Sequence, residues 1–100
     1  MTSEDAAREL VLYHTTGCHL CELAEAIVRP LAAAAGTRVR LVDIADSDVL
    51  MARYGVRIPV LANPAVPGEE IGWPFDEAAV RGLLAAVSRA RRPRGRPASG

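Results

Sequence analysis

The sequence predicts an α/β domain in which helices flank a four-stranded mixed sheet, in the order β-α-β-α-β-β-α. Three observations carry this. The apolar stretch "ELVLYH" (9–14) is followed by a long segment whose apolar residues recur at steps of three and four, and then by the β-branched run "RVRLVDI" (38–44). Two strands joined by one helix pair in parallel through a right-handed crossover. Finally, two short apolar runs separated by a Pro/Gly turn precede a last amphipathic segment, the pattern of a hairpin backed by a helix. The chain has no internal repeat.

The elements follow in order. After the first strand, "TTG" leads into a helix that begins near Cys18. Its stripe of Leu20, Leu23, Ala24, Ile27, Val28, Leu31, Ala32 and Ala35 is expected to face the sheet, and Gly36 to stop it. Pro30 lies inside this pattern, removes an N–H and crowds the carbonyl of Ala26, which predicts a kink. The second strand gives way to a short helix, "ADSDVLMARYG", with Asp46 or Ser47 as N-cap and Gly55 at its end. "IPVLAN" reads as a strand starting at Pro59, "PAVPG" as a turn and "EEIGW" as a short strand. In the final helix Phe75, Ala79, Val80, Leu83, Leu84 and Val87 share one face, while Asp76 and Glu77 lie near its positive end. This places one domain over residues 8–92, an extension over 1–7, and a basic tail, "PRGRPASG", over 93–100 that is expected to be disordered.

Half of the 100 residues are hydrophobic, enough for a single core. Only four are aromatic, so Leu, Val, Ile and Ala must fill it. A formal net charge of zero provides no overall attraction to nucleic acid or to anionic membrane. All twelve basic residues are Arg, and five lie in the last twelve positions. That run has no interleaved aromatic residues, so it is expected to be a solvated terminus and not a nucleic-acid arm. No apolar run approaches the ~18 residues of a membrane span. The acidic start "MTSEDAAREL" lacks the apolar centre of a secretory leader, and a cytoplasmic monomer is expected.

Both cysteines and both histidines fall within "YHTTGCHLC", residues 13–21. In a reducing compartment a close cysteine pair is usually catalytic or metal-binding. Cys18 falls at the first turn of a helix, where unpaired N–H groups and the positive end of the dipole favour an anion. A free thiol has a pKa near ~8.5, and lowering it to about 7 leaves half of it as thiolate. Cys21 lies one turn further on and deeper. The asymmetry makes Cys18 the attacking thiolate and Cys21 the resolving thiol. His19 and Thr16 are candidates for tuning the sulfur, and Thr15 or Thr16 for capping the helix. The alternative is a metal held by Cys18, Cys21, His14 and His19, for which a strand end and a helical turn converge poorly. An iron–sulfur cluster shared by two chains is a further alternative. No tightly bound cofactor or metal is expected.

A second segment, "YGVRIPVL" (54–61), places Pro59 at the start of a strand. Together, the strand–CxxC–helix opening and this proline resemble the thioredoxin superfamily in its compact glutaredoxin form, over residues 8 to 90. "CHLC" and "GWPFDEA" resemble the small bacterial glutaredoxin-like proteins with a CxLC motif and a WPF stretch before the last helix. The resemblance implies a thioredoxin-like fold and thiol–disulfide exchange. Cys18 would be the nucleophile, Cys21 the resolving thiol, Pro59 a cis-proline facing them, and Ile58 the residue that pairs with substrate. Arg57, beside that groove, would attract an acidic partner or the carboxylates of glutathione. Protein disulfides or small thiols would be the substrates, and glutathione or a reductase the electron donor, with glutathione a candidate co-substrate. A non-catalytic thioredoxin-fold binding module holding a metal through the CHLC segment is the competing reading. The chain departs from glutaredoxins in having His19-Leu20 between the cysteines, Arg57-Ile58 before the proline, and Gly72 followed by Trp73-Pro74. It departs from thioredoxins in carrying Gly17 and Leu12 where those have a Trp and a buried Asp.

Overall fold

Leu10, Val11, Leu12 and Tyr13 follow one another along the first strand, and their alternation between the two faces of the sheet sets the layers. A computed structural model describes residues 8–90; the extension at 1–7 and the tail at 93–100 lie outside the described residues. Strand β1 (Glu9–His14) runs through the middle of a four-stranded sheet of order β2-β1-β3-β4, between β2 (Arg38–Asp43), parallel to it, and β3 (Val60–Ala62), antiparallel. The edge strand β4 (Glu70–Gly72) completes a hairpin with β3. This is the expected mixed sheet.

Leu10, Leu12 and Leu61 project to one face, where they meet helices α1 (His19–Ala34) and α3 (Glu77–Ala90) through Ala24, Val28, Val80 and Leu84. Val60 projects to the other face and packs with Ile44, Tyr54, Tyr13 and Ile58, under a 3₁₀ turn (Ile44–Asp46) and helix α2 (Asp48–Tyr54). The period of two along β1 and β3 thus builds three layers. Each fully buried Leu or Val contributes roughly 1.5–3 kcal/mol by leaving water. Among the described residues no helix is long and apolar enough to cross a membrane.

The buried face of α1 is Cys21, Ala24, Val28 and Ala32. Leu20 and Leu23 were expected there, but they are 45% and 43% exposed. The stripe is broad enough to be rotated either way, and the sheet takes the side with small residues, which lets the helix approach closely. The helix continues unbroken through Pro30, which is exposed together with Ala26, so the carbonyl left without a donor faces water. At its end Gly36 takes φ +68°, and the N–H groups of Gly36 and Thr37 donate to the carbonyls of Ala33 (3.1 Å) and Ala32 (2.9 Å). This is a Schellman closure, which needs the left-handed conformation that glycine adopts most readily.

The other termini are set by side chains. Ser47 Oγ accepts from the Leu50 N–H to start α2, and Asp76 Oδ1 accepts from the Ala79 N–H at the start of α3. The β3–β4 turn is closed by buried Asn63, whose side chain accepts from the Ala65 N–H and donates to Glu69.

Candidate redox site

β1 delivers the chain to the carboxyl ends of the two parallel strands at His14, and the turn Thr15–Gly17 carries it into α1. Gly17 has φ +82°, a left-handed turn that sends the chain back toward the helix axis. Cys18 is then the N-cap itself, in extended conformation, with its N–H donated to the Thr15 carbonyl. Its sulfur accepts the Cys21 N–H at 3.1 Å. A sulfur fills the role that serine or aspartate plays at most helix starts. Thr15 and Thr16 therefore do not cap the helix. The Thr16 hydroxyl turns away and donates to Asp43 Oδ2 at 3.4 Å.

Cys18 and Cys21 are joined as a disulfide with Cα atoms 5.2 Å apart. Cys21 is buried at 4% exposure, whereas Cys18 is partly exposed and His19 beside it is exposed. The two sulfurs thus differ in access, in the order the helical spacing implied. Among the described residues no group of three or more His, Cys, Asp or Glu side chains is placed to hold a metal ion.

Two surroundings flank this pair. On one side lies the loop before β3. Continuing the β1–β3 register by one step sets Pro59 level with His14. The Ile58–Pro59 bond is cis, and the Pro59 carbonyl accepts the Trp73 N–H at 3.1 Å. Arg57 is exposed, and its guanidinium lies over the Tyr54 ring, 5.5 Å from its centre, as does that of Arg53 at 5.4 Å. Tyr54 stacks on Tyr13 with centroids 4.4 Å apart. Burial, then the neighbouring Glu70 carboxylate, raise the Tyr54 hydroxyl above its ordinary value, so it stays neutral and works as packing. Trp73 meets Phe75 edge-on and packs against the main core; its bond to Pro74 is also cis.

On the other side is a pocket of about 250 Å³, lined by His14, Thr16, both cysteines, Glu22 and Glu25. It brings together Cys18, Cys21 and Thr16, but Arg57, Ile58, Pro59 and His19 are not among its walls. Glu22 and Glu25 join this wall without belonging to the cysteine motif; their sequence signal is spacing, each standing four residues beyond a cysteine, one helical turn away.

Asp43 stands opposite His14 in the β1–β2 register and accepts from the Thr16 hydroxyl. Its carboxyl is held below the ordinary value of 3.8, chiefly by the Ala45 N–H, with smaller help from the Thr15 hydroxyl, the charge of His14 and Thr16, while burial acts the other way. A depressed folded-state value means that this carboxylate stabilises the fold above the ordinary value, and the contribution is lost as pH falls through the lower, folded one. We expect carboxyl NMR titration to place the Asp43 midpoint below that of free aspartate. Asp43→Asn should remove the corresponding part of the acid-side fall in stability, read as a flatter unfolding free energy below about pH 4. An ordinary midpoint would contradict this.

A family model described as glutaredoxin-like domain (DUF836) matches residues 9–85. The chain belongs to this glutaredoxin-like family. Among solved structures, this glutaredoxin-like chain is similar to protein XcR50 from X. campestris, determined by X-ray, at 40% identity and TM-score 0.62, over 77% of this chain and 96% of that one. It is also similar to protein Ne2328 from Nitrosomonas europaea, determined by NMR in solution, at 30% identity and TM-score 0.64, over 78% and 92% of the two chains. No curated protein matches. Membership of the glutaredoxin-like family and the close Cys18–Cys21 pair point together to a thiol redox role, on a thioredoxin-like fold.

Proposed function

We propose that this glutaredoxin-like protein is a dithiol thiol–disulfide oxidoreductase. The observation that carries the reading is the Cys18 sulfur at the helix N-cap, receiving the Cys21 N–H while Cys21 itself is buried. That N–H and the helix dipole stabilise negative charge on Cys18 more than on Cys21. In the reduced protein the Cys18 thiolate attacks one sulfur of a substrate disulfide. The substrate S–S bond breaks, one thiol leaves with a proton, and a Cys18 mixed disulfide remains. Cys21, deprotonated, then attacks Cys18, expels the second thiol and closes the internal disulfide. Two electrons pass from the protein to the substrate, yielding two thiols. Ile58, just before Pro59, offers its backbone carbonyl to a substrate peptide, its N–H being donated to the Tyr54 carbonyl at 3.1 Å, and Arg57 lends charge beside it. A small thiol or a reductase returns the electrons, in the reducing setting of the cytoplasm.

The test is a redox titration of the whole protein. After equilibration across a glutathione series, free thiols are alkylated and the mass is read. We expect a single two-electron transition between dithiol and disulfide, with a slope matching about 30 mV per tenfold change in the equilibrium constant. Two thiols that remain alkylatable at every potential would overturn the proposal.

A further inference from the structure

The charge of the pocket beside the cysteines is opposite to what a glutathione site needs. We propose that it selects small disulfides whose halves carry an ammonium group close to sulfur, of the cysteamine type, and disfavours anionic ones. This names a substrate class and rests on the oxidoreductase reading above.

The disulfide is itself part of the pocket wall. A thiol joined to Cys18 in the mixed disulfide therefore has this concavity beside it. At about 250 Å³ it lies below the ~300 Å³ at which pockets for drug-sized ligands begin, so it suits a short aliphatic chain. Leu41, 37% exposed, supplies apolar surface for the methylenes next to sulfur. The charged groups are carboxylates. Glu22 has no ion-pair partner among the described residues, and Glu25 shares its charge with Arg29 one turn along the helix. Asp43 lies behind Thr16 and accepts its hydroxyl proton. No arginine is in the wall, and His14 is the one basic side chain there. Arg53 and Arg57, which would draw an anion, are held over the Tyr54 ring away from this wall. An ammonium two carbons from sulfur meets complementary charge in the pocket; a glutathione half, whose two carboxylates outweigh its one more distant ammonium, meets net repulsion.

The step is the ordinary exchange. The Cys18 thiolate attacks cystamine and releases one cysteamine, and Cys21 then releases the second. One substrate S–S bond is exchanged for the Cys18–Cys21 bond, and the substrate gains two electrons and two protons.

The experiment mixes the reduced full-length protein with cystamine, with bis(2-hydroxyethyl) disulfide and with glutathione disulfide. Each rate is divided by that of dithiothreitol with the same disulfide, which removes intrinsic reactivity. The normalised cystamine-to-glutathione ratio is expected to be about tenfold or more at low salt and to shrink as salt is added. In Glu22→Gln/Glu25→Gln the ratio is expected to fall by about fivefold or more. Reading a ratio cancels any change in the Cys18 thiolate itself. A ratio near one, or one unchanged in the double variant, overturns the selectivity while leaving the oxidoreductase reading intact. If even the neutral disulfide fails to oxidise the cysteine pair, the oxidoreductase reading falls, and the selectivity with it.

Discussion

Cys18→Ser is expected to lose disulfide reduction by at least ~10³-fold, while Cys21→Ser accumulates a mixed disulfide with its substrate. The two variants differ because the two sulfurs have different surroundings. Cys18 is partly exposed and accepts the Cys21 N–H, so in the proposed exchange it is the sulfur that would meet substrate and carry the charge. A serine hydroxyl there accepts the same hydrogen bond but remains protonated at neutral pH, so the helix start survives and the nucleophile does not. Cys21 is buried, and its serine replacement leaves the first exchange possible but the second impossible. Mass measurement after exposure to an excess of bis(2-hydroxyethyl) disulfide reads both outcomes directly. An adduct on Cys21 in place of Cys18, or turnover retained in Cys18→Ser, would reverse the assignment.

Leu61→Ala is expected to destabilise the protein by about 3–4 kcal/mol. Leu61 is fully buried in β3, paired with Leu12 on one side and Ile71 on the other, and belongs to the core between the sheet and both long helices. Its neighbours come from several elements, so no single side chain can move to fill the space. Against a total stability of roughly 5–15 kcal/mol, this is a large fraction. Urea unfolding checks it, with Val49→Ala as the control: Val49 is 74% exposed and its loss should fall within about 0.5 kcal/mol. A change below about 1 kcal/mol for Leu61→Ala would mean that the core collapses into the gap.

The sequence made the architecture readable because hydrophobic periods and turn residues are local signals. Gly36 ends α1 where the sequence placed it, Ser47 is the one of its two candidate caps that starts α2, and Asp76, expected with Phe75 inside the last helix, stands before α3 and caps it. The orientation of α1 was not readable in the same way. Its apolar stripe runs from Leu20 to Ala35, wide enough for two rotations, and only the sheet decides that Ala24 and Val28 go inward and Leu20 and Leu23 outward. At the candidate site, the cysteines were legible because spacing and helix start are both sequence properties. The contact between Thr16 and Asp43 was not, because it spans a crossover and depends on the β1–β2 register that sets His14 opposite Asp43. Arg57 was legible as a charge next to Pro59, but its seat on Tyr54 follows from tertiary packing.

The placement of β2 at the open edge of the sheet has a consequence for how molecules of this protein meet one another. With a formal net charge of zero, long-range repulsion does little to keep two copies apart. Among the described residues no strand pairs with the outer side of β2, and a six-residue edge strand offers its N–H and C=O groups to any other strand that comes alongside, the first step of aggregation. Here the exposed positions Arg38 and Arg40 project from that edge strand, one of them paired with Glu9. A second strand docking there would have to strip water from the guanidinium groups. At the opposite edge β4 offers only three residues, too few to template an extended ladder. The sheet thus guards its own borders against growth by charge on one side and brevity on the other.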